Sequence, residues 1–102
     1  MRDNRRRHLR IYRKTSIVVR RATGAEVKAV AVDVSLGGCR FTSAEGFAVG
    51  DSISARLPFA DNIVYGVEGE IVNVSSAGDV TRYHVKFSER TTRMLEESFE
   101  ER

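Results

Sequence analysis

Residues 27–42 read VKAVAVDVSLGGCRFT, and this stretch decides the fold. Its first half alternates between two faces, one with Val30, Val32 and Val34 and the other with Ala29, Ala31 and Asp33. A period of two carried mainly by valines predicts a β-strand. The glycine pair at 37–38 interrupts that strand, and residues 39–42 begin a further short one.

The same alternation recurs on both sides of this stretch. Residues 16–21 predict a strand that precedes it and pairs with it as a hairpin through a turn at Thr23 and Gly24. Three more strands are predicted, over 52–57, about 63–74 and 82–87. Gly66 and Gly69 predict a bend or bulge in the longest of them, and residues 75–79 predict a hairpin loop. On the last strand, Tyr83 and Phe87 are predicted core residues.

The period of two gives way to a helical period only near the C-terminus. Ser88 is the predicted N-cap of a helix over about 89–101, on which Thr91, Leu95 and Phe99 recur at intervals of four. Short strands with hairpin-length connections favour an antiparallel sheet over a parallel one. Residues 15–102 are therefore predicted to form an all-β domain, a six-stranded antiparallel β-barrel with one C-terminal α-helix.

A basic arm, residues 1–14, precedes the predicted barrel. The arm holds seven basic residues and one acidic residue, a net charge of +6, whereas the rest of the chain holds ten basic and thirteen acidic residues, a net charge of −3. Because like charges repel and few apolar side chains anchor it, the free arm is predicted to be disordered. A cationic arm on a mildly acidic body predicts an anionic ligand.

Composition excludes several classes of protein. A chain of 102 residues, 41% of them hydrophobic, has enough apolar material for one domain. Neither a membrane-spanning apolar run nor a signal peptide is visible, so we expect a cytoplasmic protein without membrane insertion. The lone Cys39 excludes a disulfide framework and is predicted to be a small core residue. The histidines, His8 and His84, fall in no metal-ligand cluster or catalytic arrangement, so no enzymatic activity is expected.

Two short motifs carry the functional signal. The arm contains RRHLR at residues 6–10, and DVSLGG lies between the second and third strands at residues 33–38. Taken alone, the second motif could be an ordinary turn, in which Asp33 and Ser35 bond turn amides and the glycines adopt positive φ. In this order on a six-stranded pattern, however, the two motifs resemble the PilZ domain, a bacterial receptor for cyclic di-GMP. That family is marked by RxxxR before the first strand and [D/N]xSxxG after the second.

The resemblance implies a ligand site made of Arg6, Arg10, Asp33, Ser35 and Gly38. The chemistry agrees, because an arginine can bond in parallel to O6 and N7 of guanine or to a phosphate. The opposite guanine edge donates from N1 and N2, which suits the carboxylate of Asp33 with help from Ser35. Gly38 is explained either by close approach of the ligand to the backbone or by positive φ.

Arg5 and Arg7 form a predicted secondary ligand contact. In proteins of the resembled family, the residue just before RxxxR influences whether one cyclic di-GMP or a stacked pair is held. Arg5 has that place here, and its charge favours two ligands per domain. The protein is expected to be a monomer that signals to an unidentified protein effector in motility, exopolysaccharide or biofilm control. Alternatives are a small barrel that binds single-stranded nucleic acid, which the sequence disfavours, and a PilZ-like adaptor that does not bind the nucleotide.

Overall fold

The computed structural model of the protein describes residues 14–59 and 63–100, with only the backbone described at residues 99 and 100. It contains six strands and one helix in the order β1 (Thr15–Arg21), β2 (Glu26–Val34), β3 (Gly38–Ser43), β4 (Ser52–Pro58), β5 (Val64–Ala77), β6 (Val80–Phe87) and α1 (Glu89–Glu100).

The strands form a closed barrel in the order β1-β2-β3-β6-β5-β4, and every neighbouring pair is antiparallel. β1 and β4 close it through a short ladder that runs from Val19 opposite Ala55 to Arg21 opposite Ile53. The prediction of a six-stranded antiparallel barrel with a C-terminal helix is confirmed.

The barrel interior is filled by the inward-facing side chains predicted from the alternation. Tyr83 and Phe87 are buried, as predicted, and Cys39 is also a core residue. The ring of Tyr83 packs against Phe41 and Phe47, at centroid distances of 5.3 and 5.1 Å. Its hydroxyl donates to the Glu45 carbonyl at 2.8 Å and accepts from the Phe47 amide at 3.1 Å, so its polar end is paired inside the fold.

Helix α1 begins at the predicted cap and covers β5. The Ser88 hydroxyl accepts from the Thr91 amide at 3.1 Å, which pairs one of the amides that a helix N-terminus leaves open. Buried Thr91 accepts from the Glu68 amide of β5 at 3.1 Å, and Leu95 is fully buried in the core. The prediction for Phe99 falls on a side chain outside the described part of the chain.

Two details of the β5–β6 hairpin differ from prediction. The loop predicted over residues 75–79 is a tight turn, because Ala77 already pairs with Val80 and Gly78 provides a φ of +72°. The irregularity predicted at Gly66 and Gly69 lies instead between Ile71 and Asn73, where the ladder shifts register around Val72. Gly69 serves close packing, since a Cβ there would lie 2.7 Å from a methyl carbon of Val85.

Candidate functional site

A β-bulge in β2 places Asp33 on the outside of the barrel. The pairing of β2 with β3 shifts register between Ala31 and Asp33, which leaves Val32 as the extra residue. Ala31 before the bulge and Val34 after it are both buried, each 1% exposed. The regular alternation predicted for residues 27–34 is therefore wrong beyond Ala31. Strict alternation would have pointed Asp33 into the core, and the bulge turns its carboxylate outward.

Asp33 is held by an arginine that sequence reasoning missed. Arg40 of β3 lies opposite it, and its Nε donates to the two carboxylate oxygens at 3.2 and 3.1 Å. A second guanidinium nitrogen, Nη2, also bonds Oδ2. Both side chains are partly exposed, at 35% for Asp33 and 45% for Arg40. The hydrogen bonds and charge of Asp33 raise the pKa of Arg40, so its guanidinium stays charged.

Both members of the Asp33–Arg40 pair keep hydrogen-bonding atoms that the pair itself does not use. A carboxylate has about four lone-pair sites, and the bonds from Arg40 do not fill them. The Nη1 nitrogen of Arg40 makes no hydrogen bond to any residue that the structure describes. The pair therefore presents an acceptor and a donor side by side.

Ser35 and the glycines form a tight connection to β3. The Ser35 amide and hydroxyl both donate to the Gly38 carbonyl, at 2.8 and 3.3 Å. Donation by the hydroxyl leaves its lone pairs free to accept. The Gly37 carbonyl accepts from the Phe87 amide at 2.9 Å. The predicted side-chain bonds to turn amides are wrong, because Asp33 bonds a guanidinium and the Ser35 hydroxyl bonds a carbonyl.

Gly38 is required by the barrel itself. Its φ is not positive; the described glycines with positive φ are Gly24, Gly50 and Gly78. A Cβ at Gly38 would instead overlap the carbonyl oxygen of Val85 on β6 and lie 3.3 Å from its carbonyl carbon. The positive-φ explanation is therefore wrong, and the close approach in the structure is that of the β6 backbone.

Cys39 follows Gly38 and faces the core. Burial, together with a smaller effect of the Asp33 charge, raises the pKa of its thiol to about 12. The thiol is neutral at physiological pH and packs as a small apolar group.

The four predicted arginine contacts, Arg5, Arg6, Arg7 and Arg10, lie outside the described residues. The register of β1 shows where their segment joins the barrel. Thr15, at the start of β1, pairs with Ala31, so the arm enters the fold at the end of β2 that carries Asp33. Arg10 precedes Thr15 by five residues. Five residues span at most about 18 Å, so Arg10 lies no farther than that from Thr15.

Within the described ranges, no three potential ligands among His, Cys, Asp and Glu are grouped to hold a metal ion. The described helix is not long and apolar enough to cross a membrane.

The chain is similar to known proteins in its sequence pattern and in its fold. The model of the PilZ domain family matches residues 4–101. The PilZ domain of YcgR from Escherichia coli, solved with c-di-GMP, has a similar fold, with a TM-score of 0.59 and 16% identity over 79% of this chain and 76% of that one. The inhibitor of motility MotI/DgrA from Bacillus subtilis also has a TM-score of 0.59, with 15% identity over 93% of this chain.

The present chain covers 49% of that Bacillus protein. No curated protein sequence is significantly similar to the chain. At these identities the two solved structures show the common fold, whereas the family model spans nearly the whole chain and both sequence motifs. The chain belongs to the PilZ domain family.

Proposed function

We propose that the protein is a cytoplasmic, monomeric receptor for cyclic di-GMP that acts on a protein effector and is not an enzyme. The observation that carries this proposal is the outward carboxylate of Asp33 at the point where the arm joins the barrel. Two further findings support it: membership of the PilZ family, and the fold shared with the Escherichia coli domain that was solved with c-di-GMP.

The site would bind the nucleotide from two sides. Arg6 and Arg10 contribute guanidinium groups that bond a guanine O6 and N7 edge or a phosphate. Asp33, with the free lone pairs of Ser35, accepts from N1 and N2 of guanine. A site that only gripped phosphates would avoid a carboxylate beside its arginines, so Asp33 favours recognition of the base.

Arg40 adds a positioning function to this scheme. It fixes the orientation of the Asp33 carboxylate through bonds to both oxygens, while its Nη1 remains available to an incoming anion. The carboxylate then needs no rearrangement when the base arrives, which lowers the entropic cost of binding.

Calorimetric titration tests the proposed ligand. We expect heat with cyclic di-GMP and none with cyclic di-AMP, because adenine lacks the O6 acceptor and the N1 and N2 donors of guanine. GTP and a short single-stranded oligonucleotide serve as further controls. A stoichiometry of two per chain is expected if Arg5 and Arg7 contact a second nucleotide, and a value of one would contradict that part. Absence of heat with cyclic di-GMP would support an adaptor that does not bind nucleotide.

Ligand binding is expected to order the arm. Fixing a residue costs about 1–2 kcal/mol, so the bonds to Arg6 and Arg10 order only the few residues around them. The folded arm would cover part of the barrel and change the surface offered to the effector. Hydrogen exchange should show increased protection within residues 2–13 when cyclic di-GMP is added. Unchanged protection at saturating ligand would contradict this mechanism.

The structure argues against the nucleic-acid alternative. Binding to single strands depends on exposed aromatic side chains on which bases stack. Of the described aromatic side chains, Tyr65 is half-buried and packs edge-on against Phe59, and the others are buried.

A further inference from the structure

A second β-bulge lies on β5 and acts as the first one does on β2. The pairing of β5 with β6 shifts register between Ile71 and Asn73. Ile71 is fully buried, so strict alternation would also point Asn73 inward. The bulge turns Asn73 outward, where it lies opposite the exposed His84 of β6. Bulges of this kind re-aim side chains and are frequent beside functional sites.

The two residues that the bulges turn outward, Asp33 and Asn73, lie in the same cross-strand row of the barrel wall. Asp33 lies opposite Arg40, Arg40 lies opposite His84, and His84 lies opposite Asn73. We call these four residues the polar row. The row crosses β2, β3, β6 and β5, a distance of about 14 Å at three strand spacings. Each end of the row is a polar residue turned outward by a bulge.

The surroundings of the polar row favour an anionic ligand. On β6, His84 lies between Arg82 and Lys86, which are exposed and form no ion pair with another described residue. The acids closest in register are Asp33, bonded to Arg40, and Glu70, opposite Lys86. Asn73 and His84 themselves make no side-chain hydrogen bond within the described ranges. No described residue therefore occupies their polar atoms, which can bond a ligand.

We infer that Asn73 and His84 extend the nucleotide site and contact the second guanine of bound cyclic di-GMP, the first being held at Asp33. This inference rests on the proposed function. The Asn73 amide nitrogen offers donors to O6 and N7 of guanine. The His84 ring can donate to a phosphate oxygen or stack on the base. Arg40 lies between the two halves, and its Nη1, which bonds no described residue, could donate to a phosphate.

Calorimetry with cyclic di-GMP on single variants tests this extension. We expect Asn73→Ala and His84→Ala each to weaken binding about tenfold. Asn73→Asp, which keeps the shape but loses the amide donors, should lose as much as the alanine variant. The controls are Ser75→Ala, at an exposed position of β5 opposite Arg82, and Arg56→Ala, which removes a cation from β4. Both should retain the parent affinity. All five changes are at exposed positions, so melting temperatures should stay close to that of the parent.

The outcomes separate the extension from the proposed function. If the parent chain binds cyclic di-GMP and both Asn73→Ala and His84→Ala bind equally well, the extension is wrong and the receptor function stands. If the controls lose as much affinity as the two variants, the losses are not specific to Asn73 and His84 and the extension is wrong. If the parent itself shows no binding, the receptor function fails and the extension fails with it.

Discussion

Gly38→Ala is expected to destabilise the domain severely. The added methyl group would overlap the Val85 carbonyl oxygen, and relief requires β3 and β6 to separate where they pair in the barrel wall. We expect a loss of about 3 kcal/mol in the free energy of unfolding, at the upper end for overpacked sites. For a domain of this size that lowers the melting temperature by roughly 15 °C. Thermal unfolding followed by circular dichroism measures it.

Gly37→Ala is the matched control. Gly37 precedes Gly38 in the same connection, its φ is not positive, and a Cβ there would meet no atom within 4 Å. Its melting temperature should stay within a few degrees of the parent. Equal melting temperatures for both variants would contradict the assignment of Gly38 to close packing against β6.

Asp33→Ala is expected to have the largest effect on binding among single changes in the described part of the chain. It removes the acceptor for the guanine N1 and N2 donors, and bidentate contacts of this kind contribute about 1–3 kcal/mol, so affinity for cyclic di-GMP should fall roughly 10- to 100-fold. Stability should change little, because the Asp33–Arg40 pair is partly exposed and such pairs contribute about 0–1 kcal/mol. Calorimetry and thermal unfolding measure the two quantities.

The same strand offers a control for the loss of an acid. Glu26 on β2 pairs with Arg20 at 2.7 Å on an exposed surface, so Glu26→Ala also removes one carboxylate from one ion pair. It should leave cyclic di-GMP affinity unchanged. Asp33→Asn should fall between the parent and Asp33→Ala, because the amide keeps one acceptor oxygen. Unchanged affinity in Asp33→Ala would remove Asp33 from the site.

The architecture was predictable because a period of two is visible wherever one face of a strand is buried. Ile53 and Leu57 on β4 and Tyr83, Val85 and Phe87 on β6 keep that period along their strands. The positions of the bulges could not be predicted. Residues 27–34 alternate without a break in sequence, and nothing in the run VKAVAVDV marks Val32 as the extra residue. Its position is set by pairing with a neighbouring strand.

The candidate site was predictable only as far as its motifs extend. Asp33, Ser35 and Gly38 were found because they form a recognisable turn sequence, although the reason for Gly38 is a contact with β6 that lies far away in sequence. Arg40 was missed because an exposed arginine on a strand has no distinctive pattern. It acquires a function through its cross-strand position beside Asp33. Asn73 and His84 join the polar row for the same reason, through register alone.

The most direct test of the central claim is the cyclic di-GMP affinity of two arm variants with equal charge. The arm and the Asp33 region are proposed to be two halves of one site, with Arg6 and Arg10 as specific contacts. Calorimetry on the Arg6→Ala/Arg10→Ala double variant should show a loss of at least about 100-fold, because two bidentate contacts are removed. The Arg2→Ala/Arg13→Ala double variant removes the same charge and should lose less than about fivefold, as expected for general attraction. Equal losses in the two variants would contradict the account and show that the arm acts only through its charge.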